Sequence, residues 1–124
     1  MSDAEQPSEL ADLLGDPQIV ALIQARNRVC DGATMMMANL PPGNGLQHCG
    51  TDELPAAVSA LEAAEESGAL DEIEDGARWV ARAVTVTPTE LLHTNGADAF
   101  AFLGAVMMTR AALYDLDEAK AMNE

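Results

Sequence analysis

Cys30, His48, Cys49 and His93 are the four side chains of this sequence that could ligate a soft metal or serve as a thiol–imidazole pair. Four such ligands is the number a structural zinc site requires. Their spacing argues against that use. His48 and Cys49 are adjacent, and no CxxC or HxxxH pair pre-forms half a site. A nucleophilic thiol needs a base beside it, and neighbouring side chains at 48 and 49 diverge. Acidic surroundings also raise a thiol's pKa and disfavour the thiolate. The plain reading is a loop histidine, a half-buried helical thiol and a histidine near a helix end. A Cys30–Cys49 disulfide would bridge a helix to a loop, but reduced thiols are the default without a secretion signal. A small metalloprotein using His48, Cys49 and His93 is therefore a third choice, and no metal or cofactor is assigned.

Three further patterns have structural readings. Glu90-Leu91-Leu92-His93 has the Glu-x-x-His spacing of di-iron bundles, but only once. Thr87-Pro88-Thr89-Glu90 accounts for the same glutamate as half of a capping box. Pro42-Gly43-Asn44-Gly45 is glycine-rich, yet no lysine follows and no strand precedes it, so it reads as a turn. Asp71-Glu72-x-Glu74-Asp75 is dense in carboxylate without the calcium-loop spacing.

The carboxylates point instead to a surface. The chain carries 6 Lys+Arg against 21 Asp+Glu, a formal charge of −15. Nine of the acids fall between Asp52 and Asp75, with no basic residue among them. Such a field repels phosphates, and an aromatic content of 3% offers few stacking platforms, so direct nucleic-acid or anionic-membrane binding is disfavoured. Solubility is better served by mixed charge, because like charges cost stability. A single-sign block across two helices predicts docking on a basic partner. The candidate contacts are Glu62, Glu65, Glu66, Asp71, Glu72, Glu74 and Asp75. A nucleic-acid-binding protein would suit, with the carboxylates occupying its phosphate groove. Phage anti-CRISPR and anti-restriction inhibitors that imitate DNA use this physics. The expected function is non-enzymatic. A second reading is a structural or assembly protein, a homodimer or larger, joined through Met35, Met36 and Met37 and through Phe100 and Phe102. Three consecutive methionines cannot all face inward, so one is expected at the surface.

These residues need elements to position them. The chain has 124 residues, a length that suits one domain. Ala occurs 23 times and Leu 14, against 10 for Ile and Val together, a composition that favours helix over strand. The class is all-α, a bundle of five or six helices. A short helix is expected over 9–14, closed by Gly15. Asp16-Pro17 opens the next, which runs to about Leu40, with Arg26 interrupting its apolar stripe and Gly32 marking a bend. Residues 41–50 form the longest loop. Thr51 or Asp52 opens a third helix that Gly68 closes, and a fourth spans about 70–85 with Arg78 able to pair with Glu74. Val84 to Thr87 alternates like a strand but has no evident partner. A short helix follows Thr87 and stops at Asn95-Gly96. The last, about 98–120, is apolar nearly all round from Phe100 to Met108, which suggests a central position. Residues 1–7 and 118–124 are expected to fray. No run reaches the ~18 apolar residues of a spanning helix, and the acidic amino end is not a signal peptide, so a cytoplasmic location is expected.

Overall fold

In a computed structural model the chain is described over residues 15–41, 45–87, 89–90 and 99–122. Those residues hold four α-helices: α1 Pro17–Ala38, α2 Leu54–Ser67, α3 Leu70–Ala83 and α4 Phe100–Met122. A short 3-10 turn, Gly45–His48, lies between the first two. The all-α class stands, and the described residues hold four helices against the five or six expected of the whole chain. The helix anticipated over 9–14 lies outside the described residues. Of the one expected after Thr87, residues 89 and 90 are described and are helical.

Local chemistry accounts for the ends. Asp16 accepts the Gln18 N–H at 2.9 Å, and Pro17 opens α1. Gly68 closes α2 with a φ of 74°, in the left-handed region. The α2 start differs from expectation. Its N-cap is Glu53 without a side-chain bond, and Thr51 contributes only its carbonyl, to the Leu54 N–H at 3.0 Å. The capping box at Thr87 forms: the Thr87 N–H reaches Glu90 at 3.0 Å and the Glu90 N–H reaches Thr87 Oγ1 at 3.2 Å.

The helices associate as two antiparallel pairs. In α1/α4, Gly32 lies against Thr109 while Arg28 meets Asp115 at 3.1 Å, so numbering rises along one helix as it falls along the other. A Cβ at position 32 would collide with Thr109 Oγ1. Gly32 therefore sits inside an unbroken helix as a close-approach point. The second pair is the α2–α3 hairpin. A Cβ on Gly76 would come within 2.9 Å of the Leu61 Cα, so glycine sets how near these two helices run.

One apolar core joins all four helices, with Met36, Leu61, Val80, Phe102, Leu103, Val106 and Leu116 among its members. Helices α1 and α3 each touch every other helix, whereas α4 packs on α1 and α3 only. The central position expected for α4 is thus corrected. Its Phe102, Val106 and Leu113 face inward, and Phe100, Met107, Met108 and Tyr114 are exposed. Among the described residues, nothing covers that side of the helix. The chain was expected to fray from 118. Helix α4 continues to Met122 because Leu116 and Ala119 are buried and Lys120 reaches Glu74 at 2.7 Å.

The strand-like Val84 segment finds a partner in the loop. Gly50 and Val84 form an antiparallel bridge, flanked by Thr51 N–H to Ala83 carbonyl at 2.8 Å and Thr85 N–H to Cys49 carbonyl at 3.1 Å. The Arg110 guanidinium donates to the carbonyls of Ala81 and Val84, satisfying orphan acceptors at the end of α3. Among the described residues no helix is long and apolar enough to cross a membrane.

Candidate functional site

The α2–α3 hairpin has two faces because its apolar residues recur at helical spacing. Leu54, Ala57, Val58, Leu61 and Ala64 of α2, and Ile73, Ala77, Val80 and Ala81 of α3, enter the core. The outer face is left to Glu62 and Glu66 on α2 and to Asp71, Glu72 and Asp75 on α3, all exposed. Glu65 is half-buried, with Oε1 3.3 Å from Thr34 Oγ1 on α1.

Glu74, grouped with these by sequence, turns inward. Its side chain is 11% exposed, and Oε2 accepts from Lys120 at 2.7 Å and from Arg78 at 3.3 Å. Its Oε1 faces Arg26 at 3.8 Å, an ion-pair rather than a hydrogen-bond distance. Burial opposes ionisation of this carboxyl. The hydrogen bonds and charges of Lys120 and Arg78 outweigh it and hold the pKa below its ordinary value. Glu74 is therefore part of the fold's charge lock and not of the outer face.

Of the remaining cations, one reaches a carboxylate of the outer face and the others are engaged elsewhere or unpaired among the described residues. Arg26 pairs with Asp71 at 3.3 Å, Arg28 with Asp115 at 3.1 Å and Arg78 with Asp117 at 2.9 Å. The Arg78 hydrogen bond is the main cause of a lowered pKa at Asp117. Arg110 is held by backbone carbonyls. Only Arg82 makes no ion pair or hydrogen bond to the described residues. No cation among those residues lies within 4.0 Å of Glu62, Glu65, Glu66, Glu72 or Asp75. The placement has a cost on α2. Glu65 and Glu66 stand in its last turn, which holds no basic residue, where the helix dipole disfavours anions. Asp71 and Glu72 stand in the first turn of α3, where the dipole favours them.

Between the two helices runs a groove of about 300 Å3, walled by Ala60, Ala63 and Ala64 of α2 and by Glu72, Asp75, Gly76 and Trp79 of α3. Trp79 was not singled out from the sequence. The signal was present, since positions 72, 75, 76 and 79 share one helix face.

Among the described residues, the two thiols and His48 form no metal-binding group. Both cysteines are free, Cys30 half-buried and Cys49 buried. Burial is the main cause that raises each thiol's pKa; at Cys30, Arg26 opposes it while Asp31, Glu65 and Glu74 reinforce it. Cys49 donates to the Gly45 carbonyl at 3.3 Å, whereas His48 beside it is exposed. His93 lies outside the described residues. Among the described residues no group of three or more His, Cys, Asp or Glu could hold a metal ion. Of the methionines, Met36 is in the core, Met37 packs partly against it and Met35 is 45% exposed.

The fold and site together define an all-α chain with an acidic helical hairpin. Comparison with protein-family models, with curated proteins and with solved structures returns no match for it.

Proposed function

We propose that this chain is a non-enzymatic protein-binding module that docks the outer face of α2–α3 on a basic surface of a partner. The observation that carries this reading is the placement of charge. Five carboxylates of the hairpin, Glu62, Glu65, Glu66, Glu72 and Asp75, have no cationic neighbour within ion-pair distance among the described residues, while Asp71, Glu74, Asp115 and Asp117 take Arg26, Arg28, Arg78 and Lys120. Glu65 and Glu66 sit at the unfavourable end of a dipole, a position that helix stability alone does not select. Unneutralised charge on one face raises association rates with an oppositely charged partner by ~10–10³ and makes them salt-sensitive. The finer form of the proposal is a nucleic-acid-binding partner whose phosphate groove the hairpin occupies, in the manner of a DNA-mimicking inhibitor of the anti-CRISPR or anti-restriction type. Affinity capture from the native host's lysate at low salt, eluted at ~1 M salt, tests it. The expected eluate is a basic protein that DNA or RNA competes off. An empty eluate contradicts the proposal.

A second reading rests on a different surface. Phe100, Met107 and Met108 of α4 are exposed, and so is Met35 of α1. Met35 follows Arg28 by seven residues and Met108 precedes Asp115 by seven. Both methionines therefore lie one heptad along from the Arg28–Asp115 pair, on the same edge of the α1/α4 seam. An exposed apolar patch of this kind suits self-association. Sedimentation at ~0.1 M and ~1 M salt separates the two readings, because apolar association persists where electrostatic docking fades.

A further inference from the structure

We infer that the α2–α3 groove receives a single arginine side chain of the partner. This rests on the docking reading above and makes it specific. The groove holds about 300 Å3, at the floor of the ~300–1,000 Å3 range of ligand sites, which suits one long side chain rather than a cofactor. Its walls divide by chemistry. Ala60, Ala63, Ala64 and Gly76 offer a narrow apolar strip against which an aliphatic stem can lie. Glu72 and Asp75 stand over that strip as carboxylates without a cation. Glu72 is positioned by Ser67, whose Oγ lies 3.0 Å from Oε2. Trp79, the only tryptophan of the chain, adds a partly exposed aromatic ring.

Alternative occupants fit poorly. An anion would meet two carboxylates, and a purely apolar group would desolvate them without compensation. A cation with an apolar stem satisfies every wall. Arginine fits better than lysine, because its planar guanidinium stacks on an aromatic face while its N–H groups reach carboxylates.

The test titrates blocked hexa-arginine and hexa-lysine peptides into the full chain at low salt. Calorimetry reads affinity, and Trp79 emission reports occupancy in the wild type. Hexa-arginine is expected to bind about three- to thirtyfold more tightly, the range a cation–aromatic contact supplies, and to change the emission. Trp79→Leu should bring hexa-arginine down to the lysine value. Ala63→Leu, at an exposed position that leaves the core intact, should do the same by filling the groove. Glu62→Lys with Glu66→Lys, outside the groove, should weaken both peptides alike. Equal affinity of the two peptides, or full hexa-arginine affinity in Ala63→Leu, overturns the groove. If the Glu62/Glu66 variant still weakens both, the acidic-surface reading survives that loss. If neither peptide binds the wild type, the groove proposal fails, and lysate capture alone then decides the wider reading.

Discussion

At position 74 a carboxylate is gripped by Lys120 at 2.7 Å and Arg78 at 3.3 Å, while about a tenth of its side chain meets solvent, 11%. Taking its charge away leaves those cations short of a partner inside a partly desolvated site. Glu74→Gln should therefore cost about 1–3 kcal/mol at neutral pH, measured by urea unfolding. The sign with pH follows from the direction of its shift. The folded pKa lies below the ordinary 4.5, so the stabilisation is present above that value and is lost as pH falls through the folded one. The gap between wild type and variant should close on acidification from about pH 5 toward pH 3. A gap that stays constant contradicts the charge lock. Half of this was legible in the sequence. Glu74 stands at a position of the apolar stripe, three residues before Ala77 and seven before Ala81, and Arg78 follows at i+4. Lys120, 46 residues away, could not be foreseen, because a contact of that separation is set by packing and not by spacing. The same holds for Trp79, whose helix face was readable and whose facing alanines were not.

Helix α2 carries Glu62 and Glu66 one turn apart, the second of them in a last turn that lacks any basic residue. Glu66→Lys would replace a like-charge pair by an i,i+4 Glu–Lys pair and place a cation at the favourable end of the dipole. Stability should rise by about 0.5–1 kcal/mol, read from the shift in urea midpoint, while partner affinity falls. A variant that gains stability and keeps full affinity would mark Glu66 as neutral surface. Gly76 tests the hairpin itself. Gly76→Ala improves helix propensity by ~1 kcal/mol, yet its Cβ would press on the Leu61 Cα at 2.9 Å. A net loss of about 1–3 kcal/mol is expected by thermal or chemical unfolding, as for an overpacked core. Most of the elements were readable, because their signals are local: Asp16-Pro17, Gly68, and the capping box at Thr87. Helix extents were legible to within two residues, but the contacts that distant packing supplies were not. The polar end of α4 is held by Ala119 and Lys120, and Val84 gains its bridge from Gly50 across the fold.

A charge of −15 on 124 residues acts on the molecule as a whole. Self-repulsion across the outer faces is screened by salt, whereas the partly buried Glu74 lock is screened less. The midpoint of thermal unfolding should accordingly rise between ~0.02 M and ~1 M sodium chloride; a fall would mean that exposed ion pairs, not repulsion, dominate. The total charge and its concentration in residues 52–75 were legible from composition. Which carboxylates stay without cations was not, since that depends on where α1, α3 and α4 bring Arg26, Arg28, Arg78 and Lys120. The central claim is that these unneutralised carboxylates are the docking surface. It is tested most directly by the association rate of the captured basic partner, measured against ionic strength for the wild type and for Glu62→Lys/Glu66→Lys/Asp75→Lys. The rate should fall steeply with salt in the wild type, and the folded variant should be at least ~10-fold slower at low salt with a flattened dependence. Equal rates and equal salt slopes for the two proteins would contradict it.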